Sequence, residues 1–214
     1  TKHPIIMENL HGIKRTLGSR QKAKKPILIN DLKLIIKVLN EEKINAKNLV
    51  EGKVKGQNKL RDKALILIGF AGGFRRSELV NIEYDDIEFV NEGVKILIKR
   101  SKTDQSGEGT IKAIPYFDNN EFCPVIALKE YIKHKFSSNN IGRVFEISDK
   151  SVALIIKRYA EKAGLDGSRY TGHSLRSGFA TTAAEFGAEE RNIMAMTGHK
   201  TTQMVRRYIQ EANL

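Results

Sequence analysis

His173 and Arg176 stand three positions apart, Gly198 and His199 follow, and Tyr208 lies nine positions beyond His199 near the chain end. Arg75 and Lys102 lie upstream. Two arginines, a lysine, two histidines and a tyrosine are the groups needed to break a phosphodiester without a metal. A phosphoryl-transfer transition state gathers negative charge on its non-bridging oxygens, and a guanidinium binds two of these at once while staying charged. Arg75 and Arg176 fit that role and supply the electrostatic stabilisation that a metal ion gives elsewhere. Tyr208 is the expected nucleophile. Its phenol, with a reference pKa of about 10, is protonated at neutral pH, so attack requires a proton acceptor or a strongly cationic pocket. His173 is the favoured acceptor, Lys102 the general acid for the leaving sugar oxygen, and His199 a hydrogen-bond partner of the phosphate.

Each residue also has a plain alternative. Arg75 beside Arg76 reads as a solvated surface pair, and Lys102 as a solubilising loop lysine. His173 reads as a helix cap or core histidine, Gly198 as a helix stop, and Tyr208 as a packing residue. The single residues are weak signals; the ordered set is a strong one. Asp85, Asp86 and Glu88 form the one tempting carboxylate cluster, and their place between a helix and a strand predicts a turn and a solvated edge. Zinc-ligand spacing is absent, and Gly69, Gly72 and Gly73 lack the strand-then-helix context of a phosphate-cradling loop. The expectation is therefore no metal and no cofactor.

The elements that must position these groups are mostly helical, with a small antiparallel sheet. Residues 1–25 end in the basic run Arg20, Lys22, Lys24 and Lys25 and carry no sustained periodicity, so they read as a linker or the remnant of a preceding domain. A boundary near Pro26 leaves 26–214 as the second unit. Asn30 is a plausible N-cap for a helix through Leu32, Ile35, Ile36 and Leu39, and Leu60, Ala64, Leu67, Ile68 and Ala71 repeat the spacing. Gly72 and Gly73 stop that helix, and a short one follows through Ser77, Glu78 and Leu79. Alternation at Val94, Ile96 and Ile98, then Thr110 to Tyr116, predicts two strands. Lys102 falls in the polar hairpin loop between them, where Thr103 to Gly109 is expected to be mobile. Helical spacing returns at Val125, Leu128 and Ile132, at Val152, Ile155, Ile156 and Tyr159, and at Leu175, Phe179, Thr182, Ala183 and Phe186. Two shorter helices are expected near 189–197 and 201–209. His173 and Arg176 then share one face at a helix start, where unpaired backbone N–H groups add an anion site.

Composition agrees with this reading. The chain has 214 residues and is 40% hydrophobic, enough for a real core. A net charge of +12 and a pI near 9.7 favour a polyanionic partner. Membrane association would need an apolar span of about 20 residues or an amphipathic basic helix with bulky apolar residues, and neither is visible. The apolar run Ala64 to Ala71 is too short. A single cysteine, Cys123, excludes an internal disulfide and a multi-thiolate zinc site, which fits a cytoplasmic, reducing compartment. Thr1 in place of Met suggests a fragment of a longer protein.

Gly73-Phe74-Arg75-Arg76-Ser77-Glu78-Leu79, Ser101-Lys102-Thr103-Asp104, His173 to Thr181, Thr197-Gly198-His199 and Tyr208 together resemble the catalytic domain of the tyrosine recombinases, the phage integrase family. The 23 positions from Arg176 to His199 and the 9 from His199 to Tyr208 match that family's spacing, over about residues 26–210. The resemblance implies a site-specific recombinase or integrase that cleaves and rejoins double-stranded DNA through a 3′-phosphotyrosine, without ATP or metal. It implies the catalytic set Arg75, Lys102, His173, Arg176, His199 and Tyr208, with Glu78 in support. It also implies a tetramer on DNA working through a Holliday junction, and a bacterial or phage origin. Family members carry an N-terminal helical domain that closes around DNA, and many have a longer segment after the tyrosine. The piece in hand is therefore expected to be monomeric alone and to bind DNA weakly, with Lys22, Lys24 and Lys25 contributing backbone contacts. Two rival readings use the same groups: type IB topoisomerase-like relaxation, and a non-catalytic DNA-binding protein of the same fold.

Overall fold

Leu32, Ile35, Ile36 and Leu39 bury along one face of helix α1 (Ile29–Glu41), as their spacing requires. The helix starts one residue ahead of the expected cap, leaving Asn30 exposed in its first turn. The computed structural model describes residue 3, residues 8–9, and residues 24–41, 49–99, 109–135 and 141–212. Lys22, Lys102 and the loop 103–108 lie outside the described residues.

Helix α2 (Leu49–Ala71) carries the apolar run, and residues 64–70 are buried on every side. A helix apolar all round must be enclosed, and α2 is the axis of the main core, with α4 (Pro124–Lys135) packed along it. Between them come α3 (Arg76–Val80) and a three-stranded antiparallel meander: β1 (Ile87–Val90), β2 (Gly93–Ile98) and β3 (Thr110–Pro115). Strand β1 was not expected. The carboxylate of Asp86 accepts the Glu83 N–H at 3.0 Å, closing a 3-10 turn over 84–86 that delivers Ile87 to Ile96 of β2. Asp85 and Glu88 are exposed on the expected turn and edge, and the edge is a strand; Asp86 departs from the expectation, being buried with its carboxylate held by the Glu83 N–H and by Lys99 at 2.8 Å.

Helix α5 (Asp149–Lys162) is capped by Ser148, whose hydroxyl accepts the Ser151 N–H at 3.2 Å. Then come α6 (His173–Glu185), α7 (Glu190–Thr197) and α8 (Thr202–Ala212). Helix α8 packs on both α6 and α7 through a second small core of Ala180, Ile193 and Val205, with the Tyr208 ring against it. Burying Val205 fully is worth about 2 kcal/mol, which is what seats the tyrosine helix on its own chain. Among the described residues no helix is long and apolar enough to cross a membrane, and no His, Cys, Asp and Glu group could hold a metal ion.

Candidate active site

Arg176 lies in the first turn of α6 and is 2% exposed, which is costly for a guanidinium without acceptors. Among the described residues one acceptor takes it: Nη1 donates to the carbonyl of Gly73 at 3.0 Å. That carbonyl is aimed inward because Gly73 adopts φ +55°, in the left-handed region that ends helices. The remaining donors of the fork are available to the oxygens of a ligand. Burial, then Arg75, pull the Arg176 pKa down to about 10, so it stays charged at neutral pH, and incoming negative charge is favoured.

Arg75 precedes α3. Its backbone N–H donates to the Glu78 carboxylate at 2.9 Å, its Nη1 pairs with the same carboxylate, and its Nη2 donates to the Gly198 carbonyl at 3.0 Å. Glu78 is buried, so it holds Arg75 in one rotamer. Gly198 is the left-handed cap of α7 at φ 64°, with its N–H on the Met194 carbonyl at 2.7 Å. Two glycine carbonyls in helix-ending turns therefore orient the two arginines.

His199 follows that cap and is 8% exposed. The Thr197 hydroxyl donates its one proton to the Ile193 carbonyl at 2.6 Å, so the 2.7 Å contact with His199 has Nδ1–H donating to Thr197. Burial, reinforced by Arg176 and Arg75, drives the His199 pKa down to about 4. The ring is neutral at pH 7, and its Nε2 side is free of that bond.

Tyr208, on α8, places its hydroxyl 3.3 Å from Nε2 of His173, the first residue of α6, and its ring centroid 5.8 Å from that of His199. Crowding of the His173 ring, then Arg176, Arg76 and Arg75, lower its pKa from 6.5. A neutral imidazole beside a phenol in a field of guanidinium groups can take the phenolic proton. A cleft of about 480 Å³ lined by Glu78, Glu83, Asp86, Lys99 and Arg143 includes neither Tyr208 nor Arg75 and Arg176.

With this geometry, the sequence matches the phage integrase family over residues 37–213. The chain belongs to that family. It is 41% identical over 225 residues to an integrase/recombinase XerD homologue of Selenomonas ruminantium, covering all of this chain and 62% of the relative. It is 30% identical over 165 residues to tyrosine recombinase XerA of Pyrococcus horikoshii, covering 74% of this chain and 55% of the relative. Among solved structures, XerH site-specific recombinase bound to palindromic difH substrate, in a post-cleavage complex, superposes with TM-score 0.66 at 19% identity, covering 89% of this chain and 51% of that one. A lambda integrase dimer bound to a core site gives 0.58 at 16% identity, over 89% and 49%. The architecture is thus the tyrosine recombinase catalytic-domain fold, and the chain spans about three fifths of its relatives' length or less.

Within this integrase-family domain the fold brings Arg75, Glu78, His173, Arg176, His199 and Tyr208 together. Lys102 is outside the described residues, as is Lys22. Lys24 and Lys25 are engaged by the folded body: Lys24 Nζ donates to the Ser168 carbonyl at 2.8 Å, and Lys25 Nζ to Asp31 at 2.9 Å. A DNA phosphate would have to compete with Asp31 for Lys25. Sequence reasoning gave no role to two members of the network: Thr197, named there only within its motif, and Lys112. The first carries a helix-end hydroxyl two residues before a histidine, a legible hint. The second sits opposite Ile96 in the β2–β3 register, so hairpin alternation places a lysine on the buried face.

Proposed function

We propose that this chain is the catalytic domain of a DNA strand transferase that, within its full-length protein, performs site-specific recombination on double-stranded DNA. Tyr208 Oη attacks the scissile phosphorus as its proton passes to Nε2 of His173. Arg75 and Arg176 bind the non-bridging oxygens, and Glu78 holds Arg75 in place. His199 closes the phosphate pocket: the phosphate's negative charge raises its pKa, and the Nε2 proton it then takes up from solvent donates to a non-bridging oxygen. The 5′-oxygen leaves with a proton, a role assigned to Lys102, and the 3′-phosphate stays on Tyr208 as a phosphodiester. Bond energy is thereby kept, and the freed 5′-hydroxyl of a partner strand reverses the step without ATP. The observation that carries this reading is the 3.3 Å approach of Tyr208 to His173 beside two guanidinium groups held by backbone carbonyls. The relatives support it, since the XerH and lambda integrase structures hold their DNA sites. Residues 26–214 form the catalytic unit, residues 1–25 lead in from a DNA-clamping part, and the full-length protein acts as a tetramer on DNA.

The test is trapping on a nicked suicide DNA substrate in EDTA without ATP, with mass mapping of the attached peptide. An adduct on Tyr208 is expected. No adduct from the full-length protein on its own site would overturn the reading.

A further inference from the structure

Lys112 is 4% exposed at the edge of the site, yet no step of the proposed chemistry uses it. Its Nζ donates to the Gly72 carbonyl at 2.7 Å and to the Met196 carbonyl, stands 3.9 Å from Glu78 Oε2, and lies 4.6 Å from the centroid of the Phe74 ring. We propose that Lys112 is a positioning residue whose one ammonium joins the C-terminal ends of α2 and α7, fixing the turns from which Arg75, Arg176 and His199 reach a single phosphate. The inference rests on the phosphate-site reading above.

Gly72 directly follows α2, and Met196 lies in the last turn of α7. Carbonyls at helix ends lack intrahelical partners and carry the negative end of the helix dipole, so a cation between two such ends satisfies both. The next peptide after Gly72 is Gly73, whose carbonyl takes Arg176; two residues after Met196 comes Gly198, whose carbonyl takes Arg75, and then His199. Lys112 thus grips each turn just upstream of its arginine contact. A lysine suits the place because its three donors radiate toward acceptors on separate segments, whereas a planar guanidinium reaches acceptors in one plane. Burial lowers its pKa to about 8, with Arg176 and Arg75 adding to the effect and Glu78 opposing it, so the ammonium is mostly present at pH 7. It has no direct role at the phosphorus: its donors are directed at backbone carbonyls and Glu78.

The experiment compares the wild-type chain with Lys112→Met, Lys112→Gln and Lys112→Arg. Folding is checked by circular dichroism, the His199 Nδ1–H resonance is followed by NMR, and orthovanadate, a mimic of five-coordinate phosphate, is titrated in. Folded Lys112→Met and Lys112→Gln are expected to lose the protected Nδ1–H signal and bind vanadate about tenfold more weakly, the equivalent of one charge-assisted hydrogen bond. Lys112→Arg is expected to recover part of both. Wild-type behaviour in folded Lys112→Met would overturn the proposal, and failure of all three variants to fold would make Lys112 a folding residue instead. If the wild type bound no vanadate, the phosphate-site reading would fall, and the Nδ1–H signal alone would decide the role of Lys112.

Discussion

Tyr208 Oη and His173 Nε2 face each other at 3.3 Å although 35 residues separate them, because α8 is clamped onto the start of α6 by Val205 and its neighbours. The His173 pKa is held below 6.5 by local crowding and by Arg176, Arg76 and Arg75. The free enzyme therefore keeps His173 as a base at neutral pH. The kcat/KM profile for adduct formation is expected to lose its acid limb only below pH 6.5, since that ratio reports the free enzyme. An acid limb at or above pH 7 that disappears in His173→Gln would contradict the assignment. Tyr208→Phe is expected to retain DNA binding and form no adduct.

His199 gives a prediction about stability. Its folded pKa of about 4 lies below its unfolded value near 6.5, so the unfolded chain binds more protons between those pH values. The neutral ring's contribution is complete above pH 6.5 and is lost as pH falls toward 4. The gap corresponds to at most about 3 kcal/mol. Urea midpoints at pH 7 and pH 4 should fall further apart in the wild type than in His199→Gln, and equal differences would remove the effect.

Much of this arrangement was legible in the sequence because it follows local rules. Helical spacing placed α1, α2, α5 and α6, and Gly72 and Gly73 marked the end of α2. That Arg75, Glu78, His173, Arg176, His199 and Tyr208 come together was legible because they form an ordered set of unusual groups. What escaped depends on long-range pairing. Strand β1 exists through its ladder with β2, and the importance of Lys112 arises only once β3 lies against the ends of α2 and α7. The roles of the carbonyls of Gly73 and Gly198 escaped too, since a backbone acceptor carries no residue-type signal.

Lys24 and Lys25 are expected to separate. Lys25 is paired with Asp31, whose carboxylate also accepts the Tyr170 hydroxyl at 3.0 Å, and these contacts raise the Lys25 pKa. Lys25→Met should lower thermal stability and leave the salt dependence of DNA binding nearly unchanged. Lys24 is exposed and held by one carbonyl, so Lys24→Met should reduce the slope of log affinity against log salt by about 1 with little effect on stability. Reversed results would move the backbone contact to Lys25.

The two cap glycines offer a graded test of whether the turns orient the arginines. At Gly198, an added Cβ meets nothing closer than Arg75 Nη1 at 3.5 Å, an ordinary contact, so Gly198→Ala carries mainly the conformational cost of φ 64°, about 1 kcal/mol. Asparagine tolerates that region better, so Gly198→Asn should lose less. At Gly73, φ +55° is joined by a Cβ approach of 2.8 Å to Phe179 Cδ1 and 3.1 Å to Thr197 Cγ2. Gly73→Ala must therefore displace the Phe179 ring as well as strain the turn at φ +55°, and movement of the turn carries with it the carbonyl that holds Arg176. Unfolding free energies should rank wild type, Gly198→Asn, Gly198→Ala and Gly73→Ala in descending order. Adduct formation should drop far more than stability in Gly73→Ala, by about 100-fold if the guanidinium moves by about 1 Å. If adduct formation in folded Gly73→Ala matched the wild type, that carbonyl would not be what aims Arg176.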